Sequence, residues 1–277
     1  ELGLEGGGKL GIELDRPNYQ IAHYRRLQEE LPGVEIVDAT GLAEELRLIK
    51  STAEIAYMRE AADFADIGMQ AAYATIRPGV SEREVNTRIH TAMNEVGSEA
   101  PPFPTLFASG PRTGLFHGFA SERVIEDGDP VEIETWGVSA RYTVNLARNV
   151  VAGRAGDDLR AIFDIVVGAF WKGYEVVGPG VPVAELDRIC REARAGYEAY
   201  IPARSGFGLG LQYPNLYQYP SIHESDPCVL APGMTFTLEP SIAQYEGNTI
   251  IFGSFILVTE DGAEMLTTTD PDVFEVG

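Results

Sequence analysis

Two copies of a helix, a Pro-Gly-Val turn and a second helix occur in this chain, 101 residues apart. The turn of the first copy is Pro78-Gly79-Val80, and that of the second is Pro179-Gly180-Val181. On both sides of each turn, apolar residues recur at steps of three and four, which is typical of amphipathic helices. Short β-rich segments follow each copy, so the pattern predicts a duplicated α+β half. Two such halves leave a cleft at their pseudo-two-fold axis, where ligands tend to bind.

Local signals mark where the helices of the first copy begin. Ser51-Thr-Ala-Glu54 and Ser81-Glu-Arg-Glu84 both have the spacing of a capping box, in which a serine caps the helix and a glutamate bonds back to it. Before them, residues 9–14, 17–31 and 34–38 have the pattern of a strand, a helix and a strand. That unit is too small to fold alone, which indicates the tail of a larger α/β domain.

The chain is strongly acidic. Its 42 acidic and 21 basic residues give a formal net charge of -21 at pH 7. This charge repels phosphate backbones and anionic lipid surfaces, so we expect neither a nucleic-acid partner nor a membrane partner. No apolar run approaches the length of a membrane-spanning helix. The two cysteines show no disulfide framework, which favours a reducing, cytoplasmic location.

Polar residues in the β-rich segments form an ordered series. In chain order the series is Ser109-Gly110, His117, Gly128-Asp129, Glu134, Arg148-Asn149, Pro232-Gly-Met234, Glu239-Pro240 and Val258-Thr-Glu-Asp-Gly262. From about Leu46 to Thr268, this order resembles the pita-bread fold family of methionine aminopeptidases, prolidases and creatinase. The resemblance implies an α+β pita-bread fold with internal pseudo-two-fold duplication. It also implies that residues 1–45 are the remnant of a creatinase-type N-terminal α/β domain and that residues 46–277 are the catalytic domain.

The metallopeptidases of this family hold two metal ions with two aspartates, one histidine and two glutamates. By resemblance, these positions fall on Glu134, Asn145, Phe207, Glu239 and Gly253. A pair of divalent ions needs several anionic or imidazole ligands, and a phenyl ring and a glycine supply none. We therefore expect no metal and no other cofactor. The chain is more similar to the metal-free branch, represented by creatinase and the ectoine hydrolases.

Three residues are predicted to be catalytic. His117 matches the histidine that handles the proton in creatinase, and imidazole titrates near neutrality. The alternative is an ordinary histidine in a surface loop. Glu134 and Glu239 lie in strand-like segments, where a carboxylate can orient an amidinium, an ammonium or a lactam N–H. The alternative for each glutamate is a salt bridge at a strand end.

A second set of residues is predicted to bind substrate. Arg141, Tyr142 and Arg148 are similar to a pattern in ectoine hydrolases, and an arginine is suited to clamp a substrate carboxylate. An ion pair with an acidic neighbour explains Arg148 equally well. The other members of the set are His223, Phe207 and Tyr213.

These residues predict a metal-independent hydrolase of the C–N bond in a small amidine, cyclic amidine or amide. His117 would move the proton, and the two glutamates would hold the nitrogen-bearing group. Two alternatives remain open, a degenerate peptidase that only binds its ligand and a lyase on the same scaffold. The expected partners are a small-molecule substrate and a second copy of the chain, because relatives of creatinase are commonly dimers.

Overall fold

The computed structural model describes residues 7–15, 19–211 and 218–277. Within these ranges, the structure contains no helix with the length and apolar character needed to cross a membrane.

The chain begins with a small α/β unit. Strand β1 (Gly8–Ile12) pairs in parallel with β2 (Val34–Asp38), and α1 (Ile21–Glu30) connects them. Strand β2 has the predicted bounds, whereas β1 ends before the predicted Leu14. Residues 17 and 18 of the predicted helix lie outside the described ranges. A short helix, α2 (Leu42–Leu48), leads to the larger part of the chain.

The larger part consists of two helix pairs, each followed by strands. The first copy contains α3 (Thr52–Thr75), α4 (Glu82–Glu95), β3 (Leu106–Ser109), β4 (Pro130–Ser139) and β5 (Tyr142–Ala152). The second contains α5 (Asp157–Tyr174), α6 (Val183–Glu192), β6 (Gly206–Gly208), β7 (Gln218–Ser221), β8 (Thr235–Leu238), β9 (Ser241–Tyr245), β10 (Asn248–Ile251), β11 (Ser254–Thr259), β12 (Gly262–Met265) and β13 (Glu275–Val276). This is the mixed α+β architecture that the repeat predicts.

Two sheets meet at the centre of the molecule. One has the strand order β13-β5-β4-β3, and the other has the order β12-β11-β8-β6-β7. They are joined where Ala147 of β5 and Gly253, just before β11, exchange backbone hydrogen bonds of 3.2 and 2.9 Å. Helices α3 and α4 pack on the first sheet, and α5 and α6 pack on the second. The junction therefore brings residues of both halves to one place.

Both predicted serine caps are found, and one of the two predicted capping boxes, that of α3, is complete. The Ser51 backbone N–H donates to Glu54 at 2.8 Å, and Ser51 Oγ accepts the Glu54 backbone N–H, so α3 has a complete capping box. Ser81 Oγ accepts the backbone N–H of Glu84 at the start of α4. These bonds satisfy backbone donors that have no partner inside the helix.

Helix α3 lies unusually close to β4 at Gly137. A Cβ atom on Gly137 would lie 1.9 Å from the carbonyl oxygen of Ala61 and 2.7 Å from the amide nitrogen of Ala65. Since both atoms belong to the backbone of α3, only a shift of the whole helix could make room. Glycine at this position allows the helix to cover the strand that carries Glu134.

We expect Gly137→Ala to lower the free energy of unfolding by about 2–4 kcal/mol, because overpacking a close contact forces backbone to move. Gly168→Ala is the matched control, since a Cβ there meets nothing within 4 Å and the residue lies inside α5. The control should be neutral or more stable by up to about 1 kcal/mol. Urea unfolding of both variants measures the difference, and equal effects would contradict the close approach.

Candidate active site

A cavity of about 160 Å³ lies at the junction of the two sheets. Four of the residues that the sequence singles out line it, namely His117, Glu134, Phe207 and Glu239. The full lining comprises Phe116, His117, Glu134, Pro202, Ala203, Arg204, Gly206, Phe207, Glu239 and Ser241. The cavity is therefore built from both halves of the chain, at the position where the repeat predicts a cleft.

Two glutamates share this cavity. Glu134 on β4 is only 4% exposed, and its Oε1 accepts a hydrogen bond from Asn145 Nδ2 at 2.6 Å. Asn145 Oδ1 in turn accepts a hydrogen bond from Thr237 Oγ1 at 3.0 Å. Glu239 follows the last residue of β8, and its Oε2 is buried without a hydrogen-bond partner among the described residues. An unpaired buried carboxylate oxygen is costly, so it marks a place where a ligand or a proton is needed.

Burial controls the ionisation of the two glutamates. It raises the pKa of Glu134 to about 7, against the opposing effects of the Asn145 hydrogen bond and the nearby Arg204 charge. Burial, and then the charge of Glu134, raise the pKa of Glu239 well above its usual range. Two carboxylates in one site cannot both ionise easily. Near neutral pH the pair therefore holds a proton.

A third glutamate near this pair escapes prediction from the sequence. Glu132 is 2% exposed, lies two residues before Glu134 on the same face of β4, and has a buried Oε2 without a partner in the described part of the chain. Burial, together with the charge of Glu134, raises the pKa of Glu132 to about 8. The signal that could have identified it is the alternation Glu132-Ile133-Glu134 inside an otherwise apolar strand.

Arg204 lines the cavity and is also not revealed by the sequence. Its guanidinium lies over the ring of Phe207, 4.8 Å from the ring centroid. The charge of Arg204 lowers the pKa of both cavity glutamates. Arg204 stands in the loop before β6 and belongs to no motif that sequence reasoning could use.

His117 lies at the exposed rim of the cavity. Its backbone has a φ of 77°, in the left-handed region that non-glycine residues rarely adopt, and its ring stacks on Phe116 with centroids 4.4 Å apart. Partial burial of the ring, and then the charge of Arg204, lower the pKa of His117 below its usual value. The imidazole is therefore neutral at pH 7 and can donate one hydrogen bond and accept another.

Three of the predicted substrate-binding residues lie elsewhere. Arg141 is exposed and forms an ion pair with Glu99 at 3.6 Å. The hydroxyl of Tyr142 donates to Glu54 at 2.9 Å, and His223 Nδ1 bonds to a neighbouring serine hydroxyl at 2.8 Å. In the described part of the chain, these three side chains bond to neighbouring residues and do not line the cavity. Their contacts are therefore structural, whereas the sequence predicts that they bind substrate.

Arg148 also has a different position from the one expected. It is 1% exposed, and its guanidinium donates to the carbonyl oxygens of Ala147 and Gly253 at 2.8 and 2.5 Å. The guanidinium also stacks over Phe252 at 4.0 Å from the ring centroid. Arg148 therefore stabilises the junction of the two sheets. It does not line the cavity, so it is not placed to bind a substrate carboxylate there. Tyr213, the remaining member of the predicted set, lies outside the described residues.

The residues at the five metal-ligand positions do not fit a pair of metal ions. Both polar atoms of Asn145 are engaged with Glu134 and Thr237, and Phe207 has a guanidinium above its ring. A Cβ on Gly253 would lie 2.7 Å from Cγ of Glu239, so a side chain there would displace that glutamate. Among the described residues, no group of three or more histidine, cysteine, aspartate or glutamate side chains is placed to hold a metal ion.

Comparison with known proteins shows the relationships of the whole chain. The model of metallopeptidase family M24 matches residues 56–260, and that of the creatinase/prolidase N-terminal domain matches residues 1–49. An Xaa-Pro dipeptidase of Pyrococcus horikoshii is 33% identical over 98% of this chain and 76% of its own length.

Solved structures give the same result. The prolidase from Pyrococcus furiosus is 33% identical with a TM-score of 0.88, and the match covers 95% of this chain and 77% of that one. An Xaa-Pro dipeptidase from Bacillus anthracis is 33% identical with a TM-score of 0.90, over 97% of this chain and 75% of that one. The predicted pita-bread fold is confirmed.

These relatives correct the predicted reaction. They carry the names of Xaa-Pro dipeptidases and prolidases, which are peptide hydrolases. The prediction of a hydrolase for the C–N bond of an amidine, cyclic amidine or non-peptide amide is therefore wrong. A pocket's residues indicate which groups are available for acid–base chemistry, but they do not specify which C–N bond lies between them.

Glu134→Gln tests whether the raised pKa of Glu134 controls stability. In the folded chain this pKa is about 7, and in the unfolded chain it returns to about 4.5. Between these values the folded chain binds more protons, so wild-type stability falls as pH rises. Glutamine cannot ionise and still accepts the Asn145 hydrogen bond. We expect the variant to be more stable than wild type by about 2 kcal/mol at pH 8 and equally stable near pH 4.5.

Urea unfolding at pH 5, 6.5 and 8 measures this difference. Glu95→Gln, at the exposed end of α4, is the matched control and should lose stability with pH as the wild type does. If the free energy of unfolding changes with pH by the same amount in Glu134→Gln and in the wild type, Glu134 does not carry the proton assigned to it.

Proposed function

Because the chain belongs to metallopeptidase family M24, we propose that it hydrolyses the peptide bond of a short peptide of the Xaa-Pro type. The observation that carries this proposal is the cavity at the sheet junction, where a pair of glutamates, a guanidinium and an imidazole converge. The names of the similar dipeptidases and prolidases supply the substrate class. A cavity of about 160 Å³ suits a ligand of dipeptide size better than a long polypeptide.

Recognition of a dipeptide requires a group for its carboxylate. Arg204 lines the cavity and is the cation beside the two glutamates. A guanidinium binds a carboxylate through two parallel hydrogen bonds, which fixes orientation as well as adding affinity. We assign the terminal carboxylate of the peptide to Arg204.

Hydrolysis requires a base for water and an acid for the leaving nitrogen. The ionised member of the Glu134 and Glu239 pair accepts a proton as the water oxygen attacks the peptide carbonyl carbon. The protonated member then donates its proton to the proline nitrogen as the C–N bond breaks. Neutral His117 at the rim donates a hydrogen bond to the carbonyl oxygen, where negative charge develops. The products are a free amino acid and proline.

We also propose that this chemistry does not use the metal pair of the family's metallopeptidases. The support is the donor set itself, since Phe207 and Gly253 offer no ligand and Asn145 offers a neutral amide already engaged on both sides. The positive charge of Arg204 stands beside the carboxylates where the metal ions would otherwise neutralise them.

Dipeptide hydrolysis tests the proposal directly. Purified protein is dialysed against chelator and assayed for release of proline from Ala-Pro, with Ala-Ala and creatine as alternative substrates, before and after addition of Mn²⁺ or Co²⁺. We expect hydrolysis of Ala-Pro that does not depend on added metal and that falls at least about 100-fold in Glu239→Gln, with Glu95→Gln as control. No hydrolysis in either arm contradicts the proposed function. Hydrolysis only with added metal contradicts the metal-free part alone.

Arg204→Gln separates binding from chemistry. If Arg204 binds the terminal carboxylate, the variant should raise KM for Ala-Pro about 10–100-fold, as expected for loss of a charge-assisted pair. Hydrolysis of the Ala-Pro amide, which lacks that carboxylate, should change little. Equal losses on both substrates would show that Arg204 does not recognise the carboxylate.

The homodimer predicted from the sequence is part of this proposal, and the cytoplasmic location stays a prediction. Leu115 and Phe119 expose 54% and 50% of their surface on either side of His117. A second copy of the chain that covers these side chains would shield the mouth of the cavity from water. Light scattering that gives the mass of one chain would contradict the dimer.

A further inference from the structure

The segment that carries His117 has an unusual backbone. We define the His117 segment as residues 109–121, which begin at the last residue of β3 and lead towards β4. In it His117 has a φ of 77°, in the left-handed region that residues other than glycine rarely adopt. Such conformations cost free energy and persist only where the surroundings hold them in place. Some part of the structure must therefore fix this segment.

Glu82 holds both ends of the His117 segment. Its Oε1 accepts the backbone N–H and the hydroxyl of Ser109, both at 2.8 Å. Its Oε2 accepts the backbone N–H and the hydroxyl of Ser121, at 2.8 and 2.6 Å. The side chain is fully buried. One carboxylate thus joins two residues that stand twelve positions apart, on either side of His117.

Arg112 extends the same contact into the segment. Its Nε lies 3.3 and 3.2 Å from the two oxygens of Glu82, and its Nη2 donates to the carbonyl oxygen of Phe119 at 2.7 Å. Burial raises the pKa of Glu82, but hydrogen bonds from Ser121 and Ser109 outweigh it, so the net pKa lies below the usual value. The carboxylate is ionised, and charge-assisted bonds of this kind are about twice as strong as neutral ones.

Further contacts attach the middle of the segment to other strands. The backbone N–H of Phe107 donates to Gly118 at 2.8 Å, and Gln244 Nε2 donates to the carbonyl oxygen of Gly114 at 3.0 Å. These bonds place the segment near β9, but they do not connect its two ends. Arg123 also contacts both end residues, through its guanidinium to Ser109 Oγ at 2.8 Å and its backbone N–H to Ser121 Oγ at 3.1 Å. Glu82 makes four hydrogen bonds to the same two residues, two to each.

We propose that Glu82 is a positioning residue for His117, because it closes the His117 segment and keeps the imidazole at the rim of the cavity. Glu82 is not among the residues that line the cavity. The inference rests on the proposed function only in giving His117 a role in hydrolysis. The position of the imidazole can be measured whether or not the chain cleaves peptides.

Asp66 provides a matched control. This buried carboxylate of α3 accepts the backbone N–H and the hydroxyl of Thr268, at 2.6 and 2.9 Å, and the same two groups of Thr269, at 2.9 and 2.6 Å. It therefore makes the same kinds of bonds as Glu82, but it joins α3 to the segment that follows β12. Asp66→Asn should lower stability without moving His117.

The experiment compares Glu82→Gln with Asp66→Asn by NMR titration of the histidine rings. The chain has four histidines, and His117→Asn identifies the resonance of His117. In Glu82→Gln we expect the pKa of His117 to rise towards its usual value, because a released segment exposes the ring to water. Removing a negative charge would by itself lower that pKa, so a rise reports the loosening of the segment. Asp66→Asn should leave the titration unchanged.

Kinetics provide the second measurement. In Glu82→Gln, kcat for Ala-Pro should fall at least about 10-fold with little change in KM, since the imidazole acts as the carbonyl polarises. Ser121→Ala, which removes one hydroxyl donor and keeps the carboxylate, should give a smaller change in the same direction and remains informative if Glu82→Gln does not fold. If the pKa of His117 in both Glu82→Gln and Ser121→Ala equals that of the wild type, the proposal is overturned. It is also overturned if Asp66→Asn shifts the pKa of His117 as much as Glu82→Gln does. Absence of peptide hydrolysis in the wild type would instead count against the proposed function.

Discussion

The burial of Glu134 and Glu239 in one small cavity is the constraint on which the rest of the site depends. Two adjacent carboxylates cannot both be charged at low cost where water is largely excluded. The structure offsets that cost with the Asn145 amide, with the Arg204 charge and with a retained proton. A pair that contains one acid and one base is thereby available near neutral pH. General acid–base hydrolysis needs this combination.

The surrounding fold keeps the pair in place. The two backbone hydrogen bonds between Ala147 and Gly253 join the two sheets. Buried Arg148 donates to the carbonyl oxygens of the same two residues and so stabilises this junction. Gly137 allows α3 to cover the strand that carries Glu134. The absence of a side chain at Gly253 leaves the space that Glu239 occupies. The missing side chain at Gly253 and the position of the buried Glu239 therefore depend on each other.

Prediction from the sequence succeeded where the signal is local or belongs to an ordered series of motifs. The predicted serine caps are found at the starts of α3 and α4. The three residues that the motif order singles out, His117, Glu134 and Glu239, line one cavity, and their catalytic role stays a prediction. Arg204, Glu132 and Glu82 were missed because their importance arises from contacts between distant strands. The position of Arg148 could not be predicted for the same reason. The apolar residues around it in the sequence do not indicate that its guanidinium donates to backbone carbonyl oxygens. The predicted reaction is wrong because the ionisable groups of a cavity do not specify which bond of a substrate lies between them.

Infrared spectroscopy of the carboxyl groups tests the central claim most directly. Protein labelled with ¹³C at the glutamate carboxyls is titrated in D₂O through the neutral range, and the protonated-carboxyl band is compared between the wild type and a Glu134→Gln, Glu239→Gln double variant. The account predicts that the wild type has a protonated glutamate band at pH 7, to which Glu132 also contributes. The double variant should lose the contribution of Glu134 and Glu239, so its band should be weaker than that of the wild type. A wild-type spectrum at pH 7 that contains only ionised glutamates would contradict the account.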